Sequence, residues 1–121
     1  MLRIFDLFGK STALKAVDKA LREAGVHPAL VPEAVKLTLL RLARSPDGSD
    51  SDDDARLLAY CMLGHQGFAE ANDPEAAAEA SARLEDAMEA GDSRDARVIM
   101  LAQHAGLIAP EIAAQIDIDE T

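Results

Sequence analysis

The chain has 121 residues and a mass of 12.9 kDa, enough for one domain burying roughly two-thirds of the surface its unfolded form exposes. Apolar residues make up 49% of it, mainly Ala and Leu, with no Trp, one Tyr and three Phe, so little aromatic area is available for an interface hot spot. The net charge of −10 is unevenly spread: residues 1–44 carry eight Lys/Arg against four Asp/Glu, and residues 45–121 carry four against eighteen.

Residues 2–8 are apolar on either a helical or an extended period, and read as an N-terminal arm or short helix spanning 1–8. Ser11 is a candidate N-cap for a helix running to about Ala24, with Leu14, Val17, Leu21 and Ala24 along one stripe. Lys15, Asp18, Lys19, Arg22 and Glu23 fall on its other side, where Asp18–Arg22 and Lys19–Glu23 have the four-residue spacing of helix ion pairs. Gly25 suits the left-handed position that ends such a helix.

A second helix is expected from Pro32 to about Arg44, with Pro32 in the first turn, where its missing N–H costs no bond. Val35, Leu37, Leu39, Leu40, Leu42 and Ala43 cover more than one face, which predicts a central element. Ser45-Pro46-Asp47-Gly48 stops it and opens an acidic loop over residues 45–53. The third helix starts near Asp52–Asp54, whose carboxylates meet free N–H groups and the positive end of the helix dipole. It continues to about Ala71 with Leu57, Leu58, Cys61, Met62, His65 and Phe68 inward.

Asp73-Pro74 reads as the cap and first residue of a fourth helix that ends at Gly91. Ala77, Ala80, Leu84, Ala87 and Met88 point inward; Glu75, Glu79, Glu85, Asp86 and Glu89 point out. Asp92 or Ser93 caps a fifth helix containing Val98, Leu101, Ala102 and Ala105 and closed by Gly106. Pro110-Glu111 opens a short sixth, and residues 117–121 are an acidic tail expected to fray. The expected fold is all-α: one domain over 1–121, a compact bundle of about five to six short helices with antiparallel neighbours.

Several side-chain groups invite a chemical reading. Asp50, Asp52 and Asp54 resemble the start of a calcium loop, because a hard cation needs several close oxygens. The pattern fails where an EF-hand needs Gly and a bidentate Glu, since those positions hold Ala55 and Cys61. Weak divalent binding stays as the alternative to a solvated loop. Cys61 and His65, four apart, have spacing compatible with a metal or with a nucleophile and its base, and His104 joins them only if helices three and five meet. The plainer reading is a structural cysteine beside a buried, hydrogen-bonded histidine. Gly64 and Gly67 each cost about 1 kcal/mol relative to Ala within a helix, so a close crossing, a bend or a ligand is expected there. Gln66 and Glu70 have the spacing for a local hydrogen bond. No Glu lies three residues before His27, His65 or His104, as a di-metal carboxylate bundle would need.

The single cysteine excludes an internal disulfide. The start MLRIFDLFGK lacks the hydrophobic run of a signal peptide, and no stretch approaches the roughly 18 apolar residues of a membrane span. A cytoplasmic location is the default. The basic half has few groups for groove contact and belongs to an acidic chain, which disfavours nucleic acid. No catalytic signature and no cofactor motif are present.

The leading reading is therefore a small helical protein-interaction module, an adaptor, regulator or assembly subunit with no chemistry of its own. Leu2, Phe5, Phe8, Lys15, Lys19 and Arg22 are its candidate contact residues, and a protein partner or self-association, a dimer included, is the expected engagement. The alternatives are a small metal-binding protein or enzyme using Cys61, His65 and His104, and a binder of a small ligand in a Leu/Met-lined pocket. The charge division also permits the basic first helix to pair with the acidic fourth, within one chain or between two.

Overall fold

The structure, a computed structural model, describes residues 2–42, 51–91 and 93–120, and side chains within 12–42, 52–91 and 93–116. Its helices are α1 Leu2–Ala24, α2 Glu33–Leu42, α3 Ser51–Ala71, α4 Pro74–Ala90, α5 Arg94–His104 and α6 Pro110–Glu120, with a 3-10 turn at Pro28–Leu30 between α1 and α2. No strand occurs among the described residues, and the all-α expectation holds. None of the helices among these residues is long and apolar enough to cross a membrane.

Local chemistry sets most of the boundaries. The Asp73 carboxylate accepts from the Ala76 N–H at 2.7 Å, and the Ser93 hydroxyl accepts from the Ala96 N–H at 3.1 Å. Each satisfies one of the donors a helix start leaves free. At the end of α1 the Val26 N–H reaches the Leu21 carbonyl at 2.8 Å and the Gly25 N–H reaches Arg22 at 3.1 Å. This paired closure needs Gly25 at φ +103°. A Cβ there would also approach the Ala71 Cβ to 2.5 Å, so Gly25 is fixed by backbone and neighbour alike. The Asn72 amide donates to Ala24 at 2.9 Å and to Phe68 at 3.1 Å, tying together the ends of α1 and α3.

Three boundaries differ from expectation. α1 runs without interruption from Leu2, so Ser11 lies inside the helix and residues 2–8 form its first turns. α2 is described as Glu33–Leu42, and most of the 45–53 loop lies outside the described residues. The sixth helix extends to Glu120, across most of the region expected to be tail.

The centre of the molecule is α3, not α2. Leu57, Leu58, Ala59, Tyr60, Cys61 and Phe68 are all fully buried, and α1, α2, α4, α5 and α6 each pack on this helix. Only Val35 and Leu39 of α2 are buried; Leu37, Leu40 and Leu42 are partly exposed, the last two packed against the edge of the core. The alanine stripe Ala77, Ala80 and Ala87 brings α4 against α3, as its spacing predicts.

α3 is not a single straight helix. Gly64 adopts φ 81°, ψ 170° inside it, which interrupts the backbone ladder. The Ala109 N–H donates to the Cys61 carbonyl at 2.7 Å, supplying from the α6 approach a partner that the ladder does not give across the break. Ile112, buried at the start of α6, completes that dock. The expected compensation for a mid-helix glycine is thus a break that receives another helix. Gly67, by contrast, has only the Leu63 Cβ of its own helix nearby, at 3.3 Å.

Candidate functional site

The break at Gly64 separates the two residues proposed to act together. Cys61 is fully buried, whereas His65 is exposed. A four-residue spacing keeps two side chains on one face only while the helix between them is continuous. His65 is therefore not part of the inner side, a correction to the sequence reading. Its Nδ1 lies 2.9 Å from the hydroxyl of buried Tyr60, and the two rings meet edge to face with centroids 5.8 Å apart. Tyr60 makes a second edge contact with Phe68 at 5.5 Å, and burial raises its pKa. His104 is exposed near the end of α5. Among the described residues no group of three His, Cys, Asp or Glu side chains is placed to hold a metal.

Burial pushes the Cys61 thiol up to about 12, so it is a neutral thiol near pH 7 and a poor nucleophile. Alkylation of the native protein by iodoacetamide at pH 8 is expected to be at least about 100-fold slower than of the unfolded chain. A mass-spectrometric time course measures it; near-equal rates would mean that the thiol is accessible. The linkage sign is also set. The Cys61 contribution is fully present below the ordinary thiol value of 9.0 and is lost as pH rises toward about 12.

The acidic loop reads differently once folded. Asp50 lies outside the described residues, Asp52 is exposed, and Asp54 is 1% exposed. Arg94 of α5 donates from Nε to Asp54 Oδ1 at 3.1 Å and Oδ2 at 3.0 Å, and from Nη2 to Oδ2 at 2.8 Å. Both Asp54 oxygens are thereby engaged by a guanidinium. Beside this pair, Arg83 of α4 donates to Asp95 from Nε at 3.1 Å and Nη2 at 2.8 Å, and from Nη1 to the Asp53 carbonyl at 3.0 Å. These contacts tie the start of α3 to α4 and α5. The sequence reading singled out neither arginine.

The charge division does not close on itself. α1 rests mainly on α3, held there by Val17, Leu21 and Ala24. Asp18 pairs with Lys36 of α2 at 2.8 Å rather than with Arg22. Lys15, Lys19 and Arg22 are exposed; Lys19 reaches only Glu23 on the same helix, at 4.0 Å and in solvent, a weak contact. Glu75, Glu79, Glu85, Asp86 and Glu89 of α4 are exposed as well. No ion pair joins the two sets among the described residues, so the pairing of α1 with α4 that the charge layout permits is not seen within one chain. The side chains of Leu2, Phe5 and Phe8 lie outside the described ones. Gln66 and Glu70 do form the local bond expected of them, at 3.3 Å.

A concavity among the described residues is one the sequence did not announce. It is an open cleft of about 670 Å³ where the end of α4, one face of α5 and the far part of α6 converge. Met88, Ile99, Met100 and Ile116 form its apolar wall, and Gln103 and His104 stand on its polar side. Met100 is 50% exposed, which an isolated helix surface tolerates and a finished core would not. The cleft lies away from Gly64 and Gly67, where a ligand pocket was to be sought. Its walls come from three separate helices, so no local pattern marks it. Comparisons with protein families, curated proteins and solved structures find no match for this chain.

Proposed function

We propose that the protein is a small cytoplasmic helical interaction module, with no chemistry of its own, whose cleft between α4, α5 and α6 receives an apolar helical segment of a protein partner. The observation that carries this reading is the cleft itself, lined by Met88, Ile99, Met100 and Ile116, with Met100 half exposed. Methionine suits such a surface because its unbranched, polarisable chain adapts to the shape it meets. An amphipathic helix laid into a groove buries side chains from successive turns of its apolar face.

The surroundings set the charge of the partner. On the last turns of α4, beside Met88 and Gly91 of the cleft wall, Glu85, Asp86 and Glu89 are exposed. Long-range attraction therefore favours a basic segment. Two labelled helical peptides with the same apolar pattern, one basic and one acidic, provide the test by fluorescence anisotropy. The basic peptide is expected to bind, and Met100→Glu to weaken it about tenfold or more, the loss of roughly one central apolar contact. Ala78→Glu on the exposed side of α4 serves as the control and leaves binding unchanged. Binding that ignores Met100→Glu, or the absence of any binding, overturns the reading.

A second reading shares the cleft. Its volume falls within the ~300–1,000 Å³ of small-molecule sites, so an apolar small ligand is the alternative occupant. Displacement of a solvatochromic dye by such a ligand, but not by the basic peptide, would favour it.

A further inference from the structure

We infer that the basic stripe of α1 docks on the acidic outer face of α4 in a second copy of this chain, a surface separate from the cleft. Lys15, Lys19 and Arg22 fall at i, i+4 and i+7 and are exposed, so they run along one line of α1. Among the described residues no acid is paired with Lys15 or Arg22, and Lys19 reaches only Glu23. Asp18, which lies between them in sequence, is drawn off by Lys36 of α2.

α4 presents the counterpart. Glu75, Glu79, Asp86 and Glu89 are exposed at i, i+4, i+11 and i+14, one line along the helix with exposed Ala82 at its middle. The one cation of α4, Arg83, is taken by Asp95 and the Asp53 carbonyl, so it does not neutralise this line. Ala82 adds little bulk, and a facing helix can come close enough for the charges to meet. The pitch agrees as well: Lys15 to Arg22 and Glu79 to Asp86 each span two turns, about 10.5 Å. Ala87, Met88 and Gly91, which line the cleft, lie on another side of α4.

Both lines are open to solvent in the same molecule, where α1 and α4 each rest on α3 through other faces. Their charges are therefore available to another copy. A two-fold axis makes the contact twice, because each molecule supplies one basic and one acidic line. Exposed ion pairs are individually weak, and two acidic chains repel at long range. At about 0.1 M salt the Debye length of about 10 Å screens that repulsion across a molecule, while groups in contact still attract.

Sedimentation equilibrium on the full chain at about 0.1 M salt and at high salt tests this. The wild type is expected to associate at up to about 1 mM protein at the lower salt and to associate less at the higher. Two variants, Lys15→Glu/Arg22→Glu and Glu79→Lys/Asp86→Lys, change only exposed positions, and circular dichroism checks that each keeps its helix content. Each alone should associate at least about tenfold more weakly. The second does so although it makes the chain less negative, which general repulsion would not explain. Mixed in equal amounts, the variants pair reversed lines with each other and unchanged lines with each other, and a 1:1 heterodimer appears. Met100→Glu in the cleft should leave association unchanged.

A wild type that stays monomeric overturns the inference and leaves the basic stripe to an acidic partner of another kind. Association that survives either reversal at full strength, that fails to return in the mixture, or that Met100→Glu abolishes overturns it too. The peptide assay of the cleft is separate, so the two readings stand or fall apart.

Discussion

Gly64→Ala is expected to destabilise the protein by about 3 kcal/mol, or a fall in melting temperature on the order of 10 °C. Two separate causes add. At φ 81°, ψ 170° the residue occupies a region that only glycine enters at low cost. A Cβ would also overlap the Glu111 carboxyl, which stands over this position from the first turn of α6. The causes can be separated, because Glu111 is exposed and its side chain can be shortened. Gly64→Ala in a Glu111→Ala background should relieve the overlap and keep the backbone strain, leaving most of the loss, because the overlapping carboxyl is the far end of a flexible, exposed side chain. Urea denaturation of the four proteins measures it. An alanine tolerated at full stability would mean that α3 can run straight through residue 64 and that the dock of α6 does not depend on the break.

The second large effect is at Asp54. Its side chain is 2% exposed and that of Arg94 28%, so the pair is largely withdrawn from water. Asp54→Ala removes both oxygens that the guanidinium holds, and Arg94→Ala leaves a buried carboxylate; each should cost about 3 kcal/mol. The double variant should cost less than the sum, with a coupling of about 1–3 kcal/mol. A sum that is strictly additive would show the contact to be incidental.

The pH dependence has a definite sign. Burial raises the Asp54 pKa from 3.8, against the hydrogen bonds and charge of Arg94. A carboxyl with a raised folded pKa holds its proton more tightly in the fold than outside it. Its contribution is then full below 3.8 and is lost as pH rises through the raised value. The stability gap between wild type and Asp54→Asn should therefore narrow from acid toward neutral pH. A gap that widens instead would show that Arg94 outweighs burial.

The helix ends were legible because their chemistry is local. Asp73, Ser93, Gly25 and Pro110 each act within four residues of themselves, and the chain states their role directly. The alanine stripe of α4 was legible for the same reason. What stayed hidden depends on distance. Asp54 looked like one more acid of a helix start, because Arg94 lies forty residues away and only the bundle brings it near. Asp18 had an obvious partner at Arg22 and took Lys36 instead. His65 was misread because periodicity assumes a continuous helix, and the glycine just before it changes the phase. The cleft needed three helices to exist before it could be seen.

Tyr60 gives the break in α3 a further use. It is the sole tyrosine in a chain without tryptophan, buried, with its hydroxyl against His65 across Gly64. All intrinsic emission excited above the phenylalanine band thus comes from one ring at one place. Movement of α6, loss of the dock on Cys61, or a change in the imidazole contact alters the surroundings of that ring without any attached dye. The molecule carries its own optical probe at the joint where its central helix changes direction.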